Sequence, residues 1–171
     1  MASSTQQCAP SHHSGTAPRS SLDGSDQHSP SADHRECRVN QSEVLLAVNG
    51  TLMRGLKLNP NMVAARATFV RETMTEPTYR LWTINDEHPA MLRVTDGTGV
   101  NVAVEIWSVP PEGLAGILLN EPPGLCIGKV RLEDGTIVLG VLGEPALVEN
   151  HREITAYGGW RSYLAQRLSA S

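Results

Sequence analysis

Short runs of apolar residues alternate along the chain with clusters of glycine, proline, asparagine and aspartate. Apolar runs bounded by turn-forming residues are typical of β-strands joined by tight connections. The clearest example is a hairpin whose strands, 125–132 and 136–142, flank the turn Glu133-Asp134-Gly135. The other predicted strands lie at 44–50, 67–71, 79–84, 91–94 and 101–109, and we expect the last two to pair through the turn at 96–99.

Proline marks the start of two predicted helices. Asn59 is expected to cap a short helix that begins at Pro60, and Pro110-Pro111 opens a helix that runs to Leu119. Two further helical segments are expected at 145–149 and 160–168. Six or seven strands joined mainly by short turns, with helices inserted between them, predict an α+β fold. We expect a mixed, mostly antiparallel sheet that curls toward a small β-barrel.

Composition divides the chain into a tail, residues 1–42, and a domain, residues 43–168. The tail is rich in Ser, His, Pro and Asp and has almost no large apolar side chains. Such a segment buries too little surface to offset the entropy of ordering, so we expect it to be disordered. Its histidines and cysteines match no compact ligand spacing, and we expect neither a metal nor a cofactor.

Charge and hydropathy exclude several classes of partner. The net charge is −4, and no local cluster of Lys and Arg offers a field for nucleic acid. No apolar run approaches the length needed to cross a bilayer, and no signal pattern begins the chain, so we expect a cytoplasmic protein without a membrane partner. Three scattered cysteines make no disulfide framework, and Cys126 is expected to be a small buried apolar residue.

The loop that follows the first predicted strand is the first candidate site. Glycines placed just past a strand allow a sharp turn and expose backbone N–H groups that can bind a carboxylate or another oxyanion. An ordinary tight turn is the alternative interpretation. A loop arginine beside such N–H groups can bind a carboxylate through two hydrogen bonds. The predicted binding residues here are Asn49, Gly50, Thr51, Leu52, Met53 and Arg54, with the loop closing at Gly55.

A resemblance to a known family rests on four segments. The loop sequence from Asn49 to Asn59 resembles the opening strand and loop of the gamma-glutamylcyclotransferase-like fold, and more specifically the C-terminal domain of allophanate hydrolase. The other three segments, which occur in the same order as in that family, are 102–107, 125–135 and 154–161. The resemblance covers residues 43 to 164 and implies a small barrel with flanking helices.

Glu105 is the candidate catalytic residue with the clearest local context. In the strand at 101–109, alternation places Val102, Val104 and Ile106 on one face, and Glu105 and Trp107 on the other. If both faces are covered, either burial raises the pKa of Glu105 and suits it to acid–base chemistry, or a basic partner keeps it ionised. The alternative interpretation is a solvent-facing strand residue, or a structural ion pair with an arginine, for which Arg54, Arg80 and Arg93 are the candidates.

Glu121 is the second candidate catalytic residue, and the resemblance carries it. Cyclotransferases place an essential glutamate directly before a glycine; here Pro123 holds that position and Glu121 lies two residues earlier. Related allophanate hydrolase domains often have a histidine in the loop after the first strand, where this chain has Leu52. His88 lies in Asp-Glu-His-Pro, a sequence typical of a turn.

The resemblance implies hydrolytic or decarboxylative breakdown of a small carboxylated urea or amide in urea and allophanate nitrogen metabolism. The expected pocket combines the loop at 49–55 with Tyr79, Glu105 and Trp107, and Tyr157 lies over its mouth. The chain lacks an amidase segment, so an amidase partner or a homodimer is expected. A non-catalytic module that docks on an amidase, or a gamma-glutamyl cyclotransferase-type enzyme, is the alternative.

Overall fold

The structure, a computed structural model, describes residues 43–169, so the predicted tail at 1–42 lies outside the described residues. None of the helices within that range is both long and apolar enough to span a membrane. The strands are β1 (Val44–Val48), β2 (Thr68–Met74), β3 (Tyr79–Ile84), β4 (His88–Arg93), β5 (Ala103–Val109), β6 (Leu125–Arg131), β7 (Ile137–Gly143) and β8 (Arg152–Glu153). The helices are α1 (Asn59–Ala64), α2 (Pro111–Leu119) and α3 (Trp160–Ser169), with 3-10 helices at Pro145–Val148 and Thr155–Tyr157.

The strands form two sheets. A five-stranded sheet has the order β2-β5-β1-β7-β6, and a three-stranded sheet has the order β4-β3-β8. The β1–β7 pair is parallel and the other strand pairs of the two sheets are antiparallel. The predicted mixed, mostly antiparallel α+β class is confirmed, with the strands divided between two sheets instead of closing into one ring. The predicted β6–β7 hairpin is also confirmed, with Leu125 opposite Gly143 and Arg131 opposite Ile137.

One predicted strand pairing is wrong. The sequence led us to pair the strand near 91–94 with β5, but β4 pairs with β3, and Ile84 lies opposite His88. The physical reason is the connection between them, where Asn85 and Asp86 adopt φ angles of 52° and 59°. Two successive left-handed residues turn a chain back into a hairpin, and Asn and Asp tolerate that conformation better than most residues.

Both faces of the five-stranded sheet are covered, which explains why β5 is apolar on both sides. On one face, Val104 and Ile106 belong to a core that includes Leu81 and Met91 from the second sheet and Trp160 from α3. On the other face, a second core packs side chains from β1 and β5 against the two helices that follow them: Leu46, Val48, Trp107, Val109, Met62 and Ile117. The predicted alternation along β5 is therefore confirmed.

The start of α1 differs from the prediction. Asn59 is the first residue of the helix instead of its cap, and Leu58 occupies the cap position without a side-chain hydrogen bond. The Asn59 side chain instead donates from Nδ2 to the carbonyl oxygen of Leu52, at 2.9 Å. The asparagine therefore ties α1 to the loop that follows β1.

Candidate functional site

A small cavity lies at the end of β1, where strands of both sheets meet the link between α2 and β6. Its volume is about 20 Å³, which is room for about one water molecule. The residues that line it come from four separate segments: Val48, Asn49, Gly50, Thr51, Leu52, His88, Pro89, Glu121, Leu125 and Val141. The structure therefore brings together four of the six predicted loop residues and one of the two predicted catalytic glutamates.

The loop after β1 has its carbonyl oxygens engaged within the protein. The carbonyl of Gly50 accepts from Met53 N–H at 3.0 Å, and that of Thr51 accepts from Leu58 N–H at 2.9 Å. The carbonyl of Leu52 accepts from the Asn59 side chain. Across residues 43–169, the N–H groups of residues 50–52 donate none of the turn and loop hydrogen bonds. The loop can therefore offer these N–H groups to an anionic ligand.

The two glycines of the loop serve different structural purposes. Gly55 has a φ of +72°, the left-handed conformation that glycine adopts without strain. Gly50 lies outside that region, and a Cβ atom there would be 2.6 Å from Cγ of Pro89. Gly50 is therefore required by the close approach of β4 from the second sheet.

Glu121 lies just after α2, where its N–H donates to the carbonyl of Leu118 at 3.3 Å. Its Oε1 atom is buried and has no hydrogen-bond partner among the described residues. Burial raises the pKa of this carboxyl group, because desolvation penalises the charged form. A carboxyl group in such a setting is suited to hold and donate a proton.

His88 is a cavity residue that the sequence did not identify. It is the first residue of β4, and its Nδ1 lies 3.2 Å from the carbonyl oxygen of Pro89. The turn-like local sequence concealed it, because its position beside the loop depends on β4 packing across the end of β1. No local signal in the sequence identifies His88 as a cavity residue.

Glu105 occupies a different environment from Glu121. It is fully buried, and four donors surround its carboxylate. Oε2 accepts from Arg54 N–H at 2.9 Å and from Trp107 Nε1 at 3.1 Å, while Oε1 accepts from Arg54 Nε at 3.2 Å and from Arg161 Nη2 at 2.7 Å. Burial alone would raise the pKa of Glu105, but these hydrogen bonds, that of Arg54 N–H foremost, lower it. The structure therefore shows a Glu105 that basic partners keep ionised, and the ion pair with Arg54 is also the one that the alternative, structural interpretation named.

Arg54 contacts the Phe69 ring, Glu72 and Arg161 as well as Glu105, and its side chain is 44% exposed. Its guanidinium lies 3.5 Å from the centre of the Phe69 ring, and Nη2 donates to Glu72 at 2.5 Å. Its carbonyl oxygen accepts from Arg161 Nη2 at 2.7 Å. Arg54 does not line the cavity that contains Glu121, so the structure separates its side chain from residues 49–52, which do line it.

The remaining predicted binding residues lie elsewhere in the domain. Tyr79 is fully buried in the core, where its hydroxyl accepts from Arg131 N–H at 3.0 Å. Trp107 is buried beside Glu105, and the Tyr157 ring contacts the Tyr163 ring edge-on at 5.2 Å. Met53 lines a separate groove of about 280 Å³ beside Arg161. None of these four residues lines the cavity with Glu121.

The two-sheet α+β fold is shared with a solved protein from Pyrococcus horikoshii, which is 21% identical over 74% of this chain with a TM-score of 0.55. Residues 44–165 match the model of the allophanate hydrolase C-terminal domain. The chain therefore belongs to the allophanate hydrolase C-terminal domain family.

Three relatives show how this domain occurs in other proteins. A protein specific to uropathogenic E. coli is 58% identical, covering 72% of this chain and 96% of its own, with a TM-score of 0.70. Kluyveromyces lactis allophanate hydrolase is 30% identical over 71% of this chain and 21% of its own, with a TM-score of 0.68. Urea amidolyase from Saccharomyces cerevisiae is 30% identical over 128 residues, which are 71% of this chain. The chain spans 7% of the length of the curated relatives it matches.

Proposed function

We propose that this domain binds a small carboxylated urea or amide in the cavity at the end of β1 and removes its carboxyl group. The observation that carries this proposal is the buried Oε1 atom of Glu121, which has no hydrogen-bond partner and lines the same cavity as residues 49–52. An unpaired buried polar atom is costly, and a ligand that pairs with it recovers that cost.

The loop supplies the complementary half of the site. With their carbonyl oxygens engaged elsewhere, Gly50, Thr51 and Leu52 have N–H groups suited to a carboxylate oxygen. The cavity has room for about one water molecule, which favours a compact substrate that inserts one oxygen atom of its carboxylate and leaves its remaining atoms toward the mouth. The names of two relatives, allophanate hydrolase and urea amidolyase, support a substrate derived from urea.

The proposed step uses Glu121 as a general acid. The bond between the urea nitrogen and the carboxyl carbon breaks, carbon dioxide leaves, and the bonding electron pair stays on nitrogen. The Glu121 carboxyl group donates its proton to that nitrogen and is then reprotonated from solvent. The raised pKa of Glu121 supports this role, because the acid must hold its proton until the bond breaks.

A second candidate function is a binding module that works with an amidase. It is supported by the long relatives, since the matched segment is 21% of allophanate hydrolase and 7% of urea amidolyase. Leu52 at the position of the family's loop histidine also favours this function. In that case the cavity would hold a carboxylated product of the amidase without transforming it.

The experiment compares wild type with Glu121→Gln, which keeps the shape of the side chain and removes the acidic proton. Carbon dioxide release from allophanate and other small N-carboxylated ureas and amides should fall about 10²–10⁴-fold in the variant. Glu149→Gln, which changes an exposed carboxylate outside the cavity, should match wild type. Equal turnover by wild type and Glu121→Gln would refute the acid assignment. Binding without turnover by wild type would favour the binding module.

A further inference from the structure

We propose that Arg161, on the last helix, is a positioning residue for the loop at 49–55, whose first residues line the cavity. Through Glu105 and Arg54 it holds this loop in its binding conformation. This proposal rests on the proposed function of that cavity. Arg161 is the last residue of the fourth segment that carries the family resemblance, 154–161, and its role follows from its contacts.

One guanidinium nitrogen of Arg161 contacts both the Glu105 carboxylate and the backbone of Arg54. Nη2 lies 2.7 Å from Oε1 of Glu105 and 2.7 Å from the carbonyl oxygen of Arg54. Glu105 in turn accepts from both the N–H and the Nε of Arg54. The peptide groups on both sides of Arg54 are therefore fixed, one by a carboxylate from β5 and the other by a guanidinium from α3.

Arg54 lies two residues after Leu52, whose backbone is part of the cavity lining. Leu52 is fixed separately, through its carbonyl, by Asn59 of α1. The short segment between these anchors has little freedom to move, so the N–H groups of residues 50–52 are held in place before a ligand arrives. Donors placed in advance bind a ligand or a developing charge without paying for their own ordering.

Arg161 donates hydrogen bonds to Glu105 and to the Arg54 carbonyl oxygen that no group of Arg54 or Glu105 replaces. The side chains of Arg54 and Arg161 are 44% and 42% exposed, whereas Glu105 is fully buried. Removing Arg161 takes one of two donors from Oε1 of Glu105, which keeps only Arg54 Nε, and takes the guanidinium donor from the carbonyl oxygen of Arg54. A buried carboxylate that loses a donor favours rearrangement. We expect that rearrangement to occur in the loop, because β5 is held on both sides by strands.

The test measures amide hydrogen exchange in wild type, Arg161→Gln and Arg161→Lys. The reporting amides are Met53 and Leu58, which close the loop on the carbonyls of Gly50 and Thr51. In Arg161→Gln these amides should exchange about tenfold faster or more, while the amides of the β6–β7 hairpin keep wild-type rates. Arg161→Lys, which restores one cationic donor, should recover part of the protection.

Arg71→Gln is the matched control. It removes an arginine from an exposed ion pair with Asp134, in which both side chains are 43% exposed, and Arg71 does not line the cavity. Loop amides should exchange in this variant as in wild type. If Arg161→Gln fails to fold, the comparison is made with Arg161→Lys, whose loop amides should then exchange faster than those of the control.

Turnover separates this proposal from the function on which it rests. In an active preparation, Arg161→Gln should lower kcat/KM for carbon dioxide release about tenfold, and Arg161→Lys should restore part of it. Loop amides with wild-type exchange rates in Arg161→Gln would overturn the proposal, and so would faster exchange with unchanged kcat/KM. If wild type is inactive on every substrate, the proposed chemistry fails and the exchange rates alone decide whether Arg161 positions the loop.

Discussion

The guanidinium of Arg161 on α3 lies 2.7 Å from the buried carboxylate of Glu105 in the middle of β5. The two residues are 56 positions apart in the chain, and this contact joins the last helix to the central part of the five-stranded sheet. The Glu105 carboxylate accepts its hydrogen bonds from Arg54, Arg161 and the Trp107 indole. Glu121, the other candidate glutamate, has a buried oxygen without any donor among the described residues. The pKa of Glu105 is therefore lowered and that of Glu121 is raised, and we expect opposite effects on stability when each is replaced.

Glu105→Gln should destabilise the folded domain, because the substitution leaves two guanidinium groups without their carboxylate. Loss of one partner from a fully buried ion pair costs about 3–5 kcal/mol. We expect the lower end, about 3 kcal/mol, because the partner side chains are 44% and 42% exposed and keep access to water. Urea unfolding at neutral pH measures the change. Glu72→Gln, which affects an exposed carboxylate on the same Arg54, should cost less than about 1 kcal/mol.

The same glutamate predicts a pH dependence. The pKa of Glu105 is lowered in the folded protein, below its ordinary value of 4.5. Its contribution to the free energy of unfolding is therefore complete above that value and is lost as the pH falls through the lowered pKa. The stability difference between wild type and Glu105→Gln should shrink when urea unfolding is repeated below pH 4.5. A constant difference across that range would contradict the assignment.

Glu121→Gln should stabilise the protein at neutral pH, the opposite of the effect at Glu105. Burial raises the pKa of Glu121, so ionisation at neutral pH works against folding. The cost is absent below the unfolded-state pKa and grows as the pH rises through the raised pKa of the folded state. Melting temperatures at pH 5 and pH 8 should therefore fall less with rising pH in Glu121→Gln than in wild type. A variant less stable than wild type at pH 8 would show that Glu121 has a stabilising partner.

Gly50→Ala and Gly55→Ala should both destabilise the domain, for different reasons. A Cβ atom at position 50 would lie 2.6 Å from Pro89, so the two sheets must separate locally, at a cost of about 1–3 kcal/mol. At position 55 no atom lies within 4 Å, but the φ of +72° should cost an alanine about 1–2 kcal/mol. Gly116→Ala, inside α2 with open space around it, should instead be neutral or stabilising by up to about 1 kcal/mol. Equal stability of Gly50→Ala and wild type in urea would contradict the close approach.

Asp86→Asn should loosen the contact between the β3–β4 turn and α3. Asp86 accepts from the Tyr163 hydroxyl and forms ion pairs with Arg152 at 3.1 Å and Arg167 at 3.4 Å. The Tyr163 hydroxyl contributes most to lowering the pKa of Asp86. Because its side chain is 36% exposed, we expect a loss of about 1 kcal/mol at neutral pH. Asparagine tolerates the φ of 59°, so the substitution removes charge without straining the turn.

The lowered pKa of Asp86 sets the pH range over which this residue stabilises the fold. A lowered pKa means that the stabilisation by Asp86 is present above its ordinary value of 3.8 and is lost as the pH falls through the lowered pKa. Urea unfolding of wild type and Asp86→Asn at pH 7 and at pH 3 measures it. Glu149→Gln, which removes an exposed carboxylate elsewhere in the domain, serves as the control for loss of a surface negative charge. A loss of equal size at both pH values would show that shape, and not charge, holds the turn.

Features that depend on residues close together in the chain could be predicted from the sequence. The alternation in β5 placed Val104 and Ile106 on one face and Glu105 on the other, because strand periodicity is a local property of the backbone. The β6–β7 hairpin and the proline-initiated helix α2 follow from turn chemistry and from the fixed φ of proline.

Features that depend on which segments meet in space required the tertiary structure. The sequence named Arg54 as a partner for Glu105 but did not identify Arg161, because nothing local in α3 indicates that it reaches β5. His88 joined the cavity only because β4 pairs with β3 and packs over Gly50. Local patterns specify strands, turns and faces, whereas contacts between distant segments depend on how both sheets and the last helix pack around a shared core. That packing placed Glu121 in the cavity and enclosed Glu105 among arginines.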